Sequence, residues 1–274
     1  MKTMAAREIV ACLGSSSTAG KGQAFNWIGE LARRPGNARY DFRNFGVGGD
    51  LAYDALNRID TVLAIRPHRV IVWVGGNDAL AMASPKARRL FRIMKLASRP
   101  SSQTRFQESL SAIVDRTRAA SARVALCSLT PIGEAPASEQ PFQAALNSAI
   151  RDLSASIQHI AHARGADYIP IFEAFQTAIA ADPGRALTEF RLLPMYRDAI
   201  RTLVLRMSPD EVGRLNGWKF HSDGIHLNRR GGMIAADLIQ SHLDGCEWPE
   251  TSMAILRDRE ASKGQIQMGG CLDP

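Results

Sequence analysis

The chain has 274 residues, 45% of them apolar and 22% charged, so it is long enough to bury the core of one large domain and differs in composition from a disordered protein. Its apolar runs, such as VIVWV at residues 70–74, are far too short to cross a bilayer. No signal peptide is visible before the strand-like run IVACL, and we therefore expect a cytoplasmic protein.

The formal net charge of +7 is concentrated in one segment. Residues 79–107 contain seven basic side chains and no acidic one, whereas the remaining 27 basic residues are matched by 27 acidic ones. Such a charged run is most often a solvated helix face. The basic segment at residues 86–105 can also attract an anionic substrate or a membrane surface. It contains no nucleic-acid-binding motif, so nucleic acid is not an expected partner.

Apolar runs typical of buried strands alternate with segments of helical periodicity, which predicts a parallel sheet flanked by helices. The strands are predicted at residues 8–13, 40–45, 69–74, 123–129 and 167–171. Helices are predicted near residues 20–34, 50–65, 104–120, 138–164 and 230–243. A further helix is predicted to begin at Ser84-Pro85 and to carry four apolar side chains on one side, namely Leu90, Ile93, Met94 and Ala97.

Residues 1–245 are predicted to form one domain, followed by a C-terminal tail at 246–274. Within the domain, residues 176–220 are too long for an ordinary connection and predict a helical insertion, with an N-cap at Ser208 before Pro209. One helical face of this insertion is apolar and contains Ile200, Leu203, Val204 and Met207. This face can line a cap for an acyl chain, but packing against the core is the commoner arrangement, and we expect it here.

The four cysteines form no CxxC pair, and neither a disulfide framework nor a zinc site is expected. Cys12 and Cys127 lie in apolar strand-like runs, where a small hydrophobic residue is favoured. The other two are Cys246 and Cys271.

Ligands of parallel α/β sheets bind beyond the carboxyl ends of the strands. Turns that combine glycine with small polar residues follow the first three predicted strands: GSSSTAG (14–20), GVGGD (46–50) and GGND (75–78). A fourth stretch, SDGIH (222–226), adds a histidine and a carboxylate. Together they supply a nucleophile, oxyanion donors and a base with an orienting acid, which is the set of groups that acyl transfer requires.

These four stretches resemble, in order, the four sequence blocks of the GDSL or SGNH hydrolases, and the resemblance covers residues 8 to about 243. It implies a three-layer α/β/α flavodoxin-like sandwich with a five-stranded parallel sheet and a helical insertion before the last block. It also implies a serine hydrolase in which Ser16 is the nucleophile, His226 the base and Asp223 its orienting carboxylate. The implied oxyanion donors are the backbone N–H groups of Ser16 and Gly49 and the side-chain amide of Asn77.

The blocks depart from the family pattern at two places. The family usually has Asp where this chain has Ser15, and three consecutive serines leave the nucleophile open by one position, although alignment on Gly14 and Thr18 favours Ser16. In the second block, counting back from Asp50 favours Gly49 as the oxyanion glycine and leaves Gly48 as the alternative.

We therefore expect an esterase that acts on a small-molecule acyl ester and needs no cofactor or metal. An acyltransferase or a carbohydrate O-deacetylase on the same fold is the alternative, whereas a silent binding module is disfavoured because every group of the triad is present. The set His221, Asp223 and His226 also has metal-ligand types, but no further ligand cluster supports a metal site. The oligomeric state is open.

Overall fold

The computed structural model describes residues 6–20, 24–95, 100–190, 197–198, 200–202 and 204–245. They form a five-stranded parallel sheet in the order β2-β1-β3-β4-β5. The strands are β1 Glu8–Gly14, β2 Tyr40–Gly46, β3 Arg69–Trp73, β4 Arg123–Cys127 and β5 Asp167–Ile169. All five predicted strands are confirmed, and β3, β4 and β5 end one or two residues earlier than predicted.

Eleven helices are defined among the described residues. They are α1 Ser16–Ala19, α2 Trp27–Arg33, α3 Ala52–Asn57, α4 Ile59–Leu63, α5 Gly76–Ala83, α6 Pro85–Met94, α7 Gln103–Ala119, α8 Pro141–Arg164, α9 Ile171–Ala181, α10 Pro209–Asn216 and α11 Arg229–Leu243. The region predicted as one helix at 50–65 is divided at Arg58, which leaves the helical conformation with φ −111°. Helix α5 was not predicted, although its ALAMA run consists of strong helix formers. No described helix is long and apolar enough to cross a membrane.

The helices cover both faces of the sheet. Helices α3 to α8 enclose one apolar core with the inward side chains Ala11 and Leu13 of β1, whereas α2, α9 and α11 enclose a second core with Val10 and Cys12. Because successive side chains of a strand point to opposite faces, each strand contributes to both cores. The predicted three-layer α/β/α sandwich is therefore confirmed.

The cysteines in the strands are fully enclosed. Cys12 and Cys127 are buried free thiols, and burial raises the pKa of both. They act as small apolar residues, as their positions in strands predicted. Cys246, Cys271 and the predicted tail at 246–274 lie outside the described residues.

The predicted insertion contains part of α9 and all of α10. The N-cap at Ser208 is confirmed: its hydroxyl accepts from the Glu211 N–H, and the Glu211 carboxylate accepts from the Ser208 N–H. The prediction that the apolar face of the insertion packs against the core is wrong for Ile200 and Val204, because more than half of each side chain is exposed to solvent. Helical spacing identifies a shared face but not what covers it. Leu203 lies outside the described residues.

The order of the strands determines where a ligand can bind. Strands β1 and β3 are neighbours, and the chain continues from β1 to β2 on one side and from β3 to β4 on the other. A crevice opens at the carboxyl ends of two such strands. The first and third glycine-containing turns, at 14–20 and 75–78, lie at these two strand ends.

Candidate active site

The first turn places Ser16 at the start of α1, directly beyond β1. It needs glycine at residue 14, because a Cβ there would lie 2.1 Å from Oγ1 of Thr18 and 2.4 Å from the carbonyl oxygen of Trp73. Ser15 precedes the helix, is buried, and makes no side-chain cap. The Oγ of Ser16 lies 2.9 Å from Nε2 of His226.

The loop between α10 and α11 carries the other two residues of the predicted triad. Asp223 Oδ1 accepts hydrogen bonds from the backbone N–H groups of Ile225 and His226, at 2.9 and 2.8 Å. Its Oδ2 lies 2.8 Å from Nδ1 of His226. The short loop thus holds the carboxylate against one ring nitrogen and turns the other toward Ser16.

The electrostatics of this pair favour an ionised carboxylate beside the imidazole. Burial alone would raise the pKa of Asp223, but the charge of His226 and the hydrogen bonds to its carboxylate lower the pKa of Asp223 overall. Burial alone would lower the pKa of His226, but Asp223 outweighs it and raises the pKa of His226. The carboxylate therefore stays negative at neutral pH and stabilises the charge that His226 gains when it takes a proton.

The second and third turns converge beside Ser16. Asn77 is buried in the first turn of α5, and its Nδ2 donates to the carbonyl oxygen of Asp50 at 2.9 Å. The backbone of Gly49 is left-handed, with φ +79°, whereas that of Gly48 is not. Within the described part of the chain, neither glycine N–H nor the Ser16 N–H donates to a protein acceptor. These groups remain available to a ligand.

An ion-pair network fixes the second turn to the first. The carboxylate of Asp50 is buried and accepts from Arg58 Nε and Lys95 Nζ, both at 2.6 Å. Arg58 also donates to the carbonyl oxygen of Gly14 at 2.9 Å. One guanidinium thus links the turn containing Gly49 to the turn containing Ser16.

A second carboxylate and imidazole pair lies behind the loop. Glu134 and His221 are both fully buried, and Oε1 of Glu134 lies 2.8 Å from Nδ1 of His221. The Glu134 carboxylate also accepts from three consecutive backbone N–H groups, those of Lys219, Phe220 and His221. The other His221 nitrogen lies 3.0 Å from the carbonyl oxygen of Pro131. Both ring nitrogens of His221 thus face oxygen atoms of the protein, which fixes the orientation of the ring.

The sequence does not predict a role for Glu134, which is a single acidic residue in a predicted loop. The signal that could have found it is its position in the loop that follows the carboxyl end of β4. His221 was considered only as a metal ligand. The ring nitrogens of His221 and His226 face hydrogen-bonding partners within the protein, and no metal-binding group of three ligands occurs in the described ranges.

A cavity of about 230 Å³ borders the same loop, and its lining includes Trp218, Asp223 and Ile225. Ser16 is not among the residues that line it.

A parallel sheet in this order, with a serine and histidine in contact at its carboxyl edge, defines a class of hydrolases built on a flavodoxin-like sheet. A model of the GDSL-like lipase/acylhydrolase family matches residues 12–232. The chain belongs to this family and is a hydrolase of ester bonds. No curated protein matches it significantly in sequence.

Solved structures share the fold at low identity. The acetyl xylan esterase AlAXEase has a TM-score of 0.57 and 19% identity, over 85% of this chain and 98% of that one. A lipase/acylhydrolase from Enterococcus faecalis has a TM-score of 0.55 and 19% identity, over 89% and 98%. A catalytic mutant of Axe2, an acetylxylan esterase from Geobacillus stearothermophilus, has a TM-score of 0.58 and 16% identity, over 90% and 98%.

Proposed function

We propose that this hydrolase cleaves carboxylic esters through an acyl-enzyme, with Ser16 as nucleophile, His226 as general base and Asp223 as its orienting carboxylate. The observation that carries the proposal is the continuous hydrogen-bonded chain from Ser16 Oγ through His226, at 2.9 Å, to Asp223, at 2.8 Å. This order of hydroxyl, imidazole and buried carboxylate is what activates a serine hydroxyl.

In the first half of the reaction, Ser16 Oγ attacks the carbonyl carbon of the ester while its proton passes to Nε2 of His226. The bond to the alcohol then breaks, and the imidazolium returns the proton to the departing alcohol oxygen. In the second half, His226 takes a proton from a water molecule that attacks the acyl-enzyme. The acid is released and the Ser16 hydroxyl is restored.

The negative charge that develops on the carbonyl oxygen needs fixed donors. We assign them to the N–H groups of Ser16 and Gly49 and to the side-chain amide of Asn77. An amide nitrogen carries two hydrogens, so Asn77 can donate one to Asp50 and the other to the oxyanion. The left-handed backbone of Gly49 supports its choice over Gly48, whose N–H is equally free among the described residues.

The substrate is proposed to be a small-molecule oxygen ester or thioester whose acyl group is longer than acetyl. The support is apolar surface beside the second turn: Val47 and Met94 are 40% and 54% exposed, and Cε of Met94 lies 3.2 Å from where a Cβ on Gly49 would be. The acetyl xylan esterases of similar fold make a carbohydrate O-deacetylase the second candidate. That reaction needs no apolar acyl site. Transfer to an acceptor other than water would use the same acyl-enzyme.

A series of nitrophenyl esters with acyl chains from acetyl to dodecanoyl tests the proposal, with acetylated xylo-oligosaccharides assayed in parallel. We expect kcat/KM to rise from acetyl to medium chains and little acetate release from the oligosaccharide. Met94→Ser should flatten this rise without changing turnover of the acetyl ester. Leu215→Ser, at an exposed apolar residue of α10, is the control. Preference for the acetyl ester and rapid deacetylation would instead favour the second candidate.

A further inference from the structure

Helix α6 presents a mixed cationic and apolar face to solvent. Ala87 and Phe91 point into the core. On the opposite side, Ile93 lies one helical turn after Arg89 and is 60% exposed. Arg92 is its exposed neighbour. A large aliphatic side chain thus lies in water among cations.

This face adjoins the active-site edge. Met94, at the end of α6, contacts the turn that contains Gly49. Val47 belongs to the same turn, and its N–H donates to the carbonyl oxygen of Gly14 at 3.1 Å. The three exposed apolar side chains Val47, Ile93 and Met94 therefore lie at the carboxyl edge of the sheet, next to the turn that leads to Ser16.

The cations of this face have no acidic partners in the region that the structure describes. Lys95 is paired with Asp50, but Lys86, Arg89 and Arg92 form no ion pair with a described carboxylate. The surrounding segment 79–107 contains no acidic residue. The charges of Lys86, Arg89 and Arg92 are therefore not neutralised by ion pairs with described residues, although salt screens them.

We propose that Val47, Lys86, Arg89, Arg92, Ile93 and Met94 form a docking surface for an anionic lipid membrane. On this surface the cations lie near lipid phosphates while Ile93 and Met94 enter the boundary between headgroups and acyl chains. Interfacial helices combine these two features, cations beside exposed large apolar side chains. A soluble anionic ester would use the charges alone and leave Ile93 in water. Docking in this orientation turns the edge that carries Ser16 toward the lipid.

Sedimentation with vesicles tests this without relying on catalysis. The full chain is mixed with vesicles of phosphatidylcholine alone, or with about one third phosphatidylglycerol. We expect binding only to the anionic vesicles, and equal binding by Ser16→Ala. The triple substitution Lys86→Gln, Arg89→Gln and Arg92→Gln should weaken the binding about a hundredfold, since each cation near such a surface contributes roughly a factor of five.

The matched control replaces three exposed arginines at the opposite edge of the sheet, with Arg7→Gln, Arg66→Gln and Arg123→Gln. It removes the same charge and should leave binding within about threefold of wild type, because distant charges are screened. Equal weakening by the two triple variants would overturn the proposal, since it would show dependence on net charge and not on this surface.

A single substitution tests the apolar contribution. Ile93→Ser should weaken vesicle binding about tenfold at unchanged charge, because the variant has no large apolar side chain to move from water into the membrane on binding. Unchanged binding by this variant would overturn the docked geometry. The proposal would also be overturned if wild type bound no vesicles and the triple substitution at Lys86, Arg89 and Arg92 slowed hydrolysis of a soluble anionic ester. The surface would then steer soluble substrates to the active site.

Discussion

Asp78, the last residue of the GGND stretch, is a buried carboxylate without a cationic partner among the described residues. Its Oδ2 accepts from the N–H of Ala52 at 3.0 Å, and its Oδ1 accepts from the hydroxyl of Ser101 at 2.6 Å. Burial raises the pKa of Asp78 from 3.8 to about 6 against these two hydrogen bonds. The pKa difference between folded and unfolded states therefore lowers stability at neutral pH.

The magnitude follows from this difference. At about 1.4 kcal/mol for each pH unit, it corresponds to about 3 kcal/mol of unfolding free energy. Between about pH 4 and pH 6 the folded protein binds more protons than the unfolded chain, so this contribution lowers stability as the pH rises. Asp78→Asn removes the titration and retains both contacts, since an amide can accept from Ala52 and donate to the Ser101 hydroxyl.

Urea unfolding of wild type and Asp78→Asn at about pH 4.5 and about pH 7.5 measures the effect. We expect the variant to be more stable at the higher pH, and its advantage to shrink by about 2 kcal/mol at the lower pH. Asp152→Asn, at an exposed site on α8, is the control and should change stability by less than about 0.5 kcal/mol. An Asp78→Asn variant no more stable than wild type at either pH would refute the reasoning.

Three further predictions concern the site. Asn77→Ala should lower kcat about 10²- to 10³-fold in a folded protein, and an effect on KM alone would argue against its role as oxyanion donor. The raised pKa of His226 predicts that kcat/KM increases with pH through a value above about 6.5, because only the neutral imidazole can take the Ser16 proton; a lower value would contradict the pairing with Asp223. Glu134→Ala should destabilise the fold by about 3–5 kcal/mol in thermal or urea unfolding, because it leaves Nδ1 of the buried His221 and three buried N–H groups without their hydrogen-bond partner. Glu139→Ala is the exposed control and should have little effect.

The sheet and the four glycine-containing turns could be predicted because their signals are local. A buried strand is a short β-branched run, and a turn that approaches another strand closely requires glycine, as at Gly14 beside Trp73. The three-layer flavodoxin-like fold then followed from the family resemblance. It brings Ser16 and His226 together although they are 210 residues apart.

Long-range contacts and burial could not be predicted from the sequence alone. Glu134 lies 87 residues before His221, and neither residue has a periodic pattern around it that identifies the other. Helical spacing placed Leu90, Ile93 and Met94 on one side of α6, but did not reveal that Ile93 and Met94 face solvent. The burial of Asp78 likewise depends on Ala52 and Ser101, which come from other parts of the chain.

Covalent labelling of the nucleophile tests the central proposal most directly. A serine-directed fluorophosphonate is incubated with wild type and with Ser16→Ala, Ser15→Ala and Ser17→Ala, and the modified residue is located by peptide mass spectrometry. Only the Ser16 hydroxyl contacts an imidazole, at 2.9 Å from Nε2 of His226, among the described contacts of these serines. We expect a single modification at Ser16, lost in Ser16→Ala and retained in the other two variants. Modification at Ser15 or Ser17, or labelling and ester turnover that persist in Ser16→Ala, would contradict the assignment of Ser16 as the nucleophile.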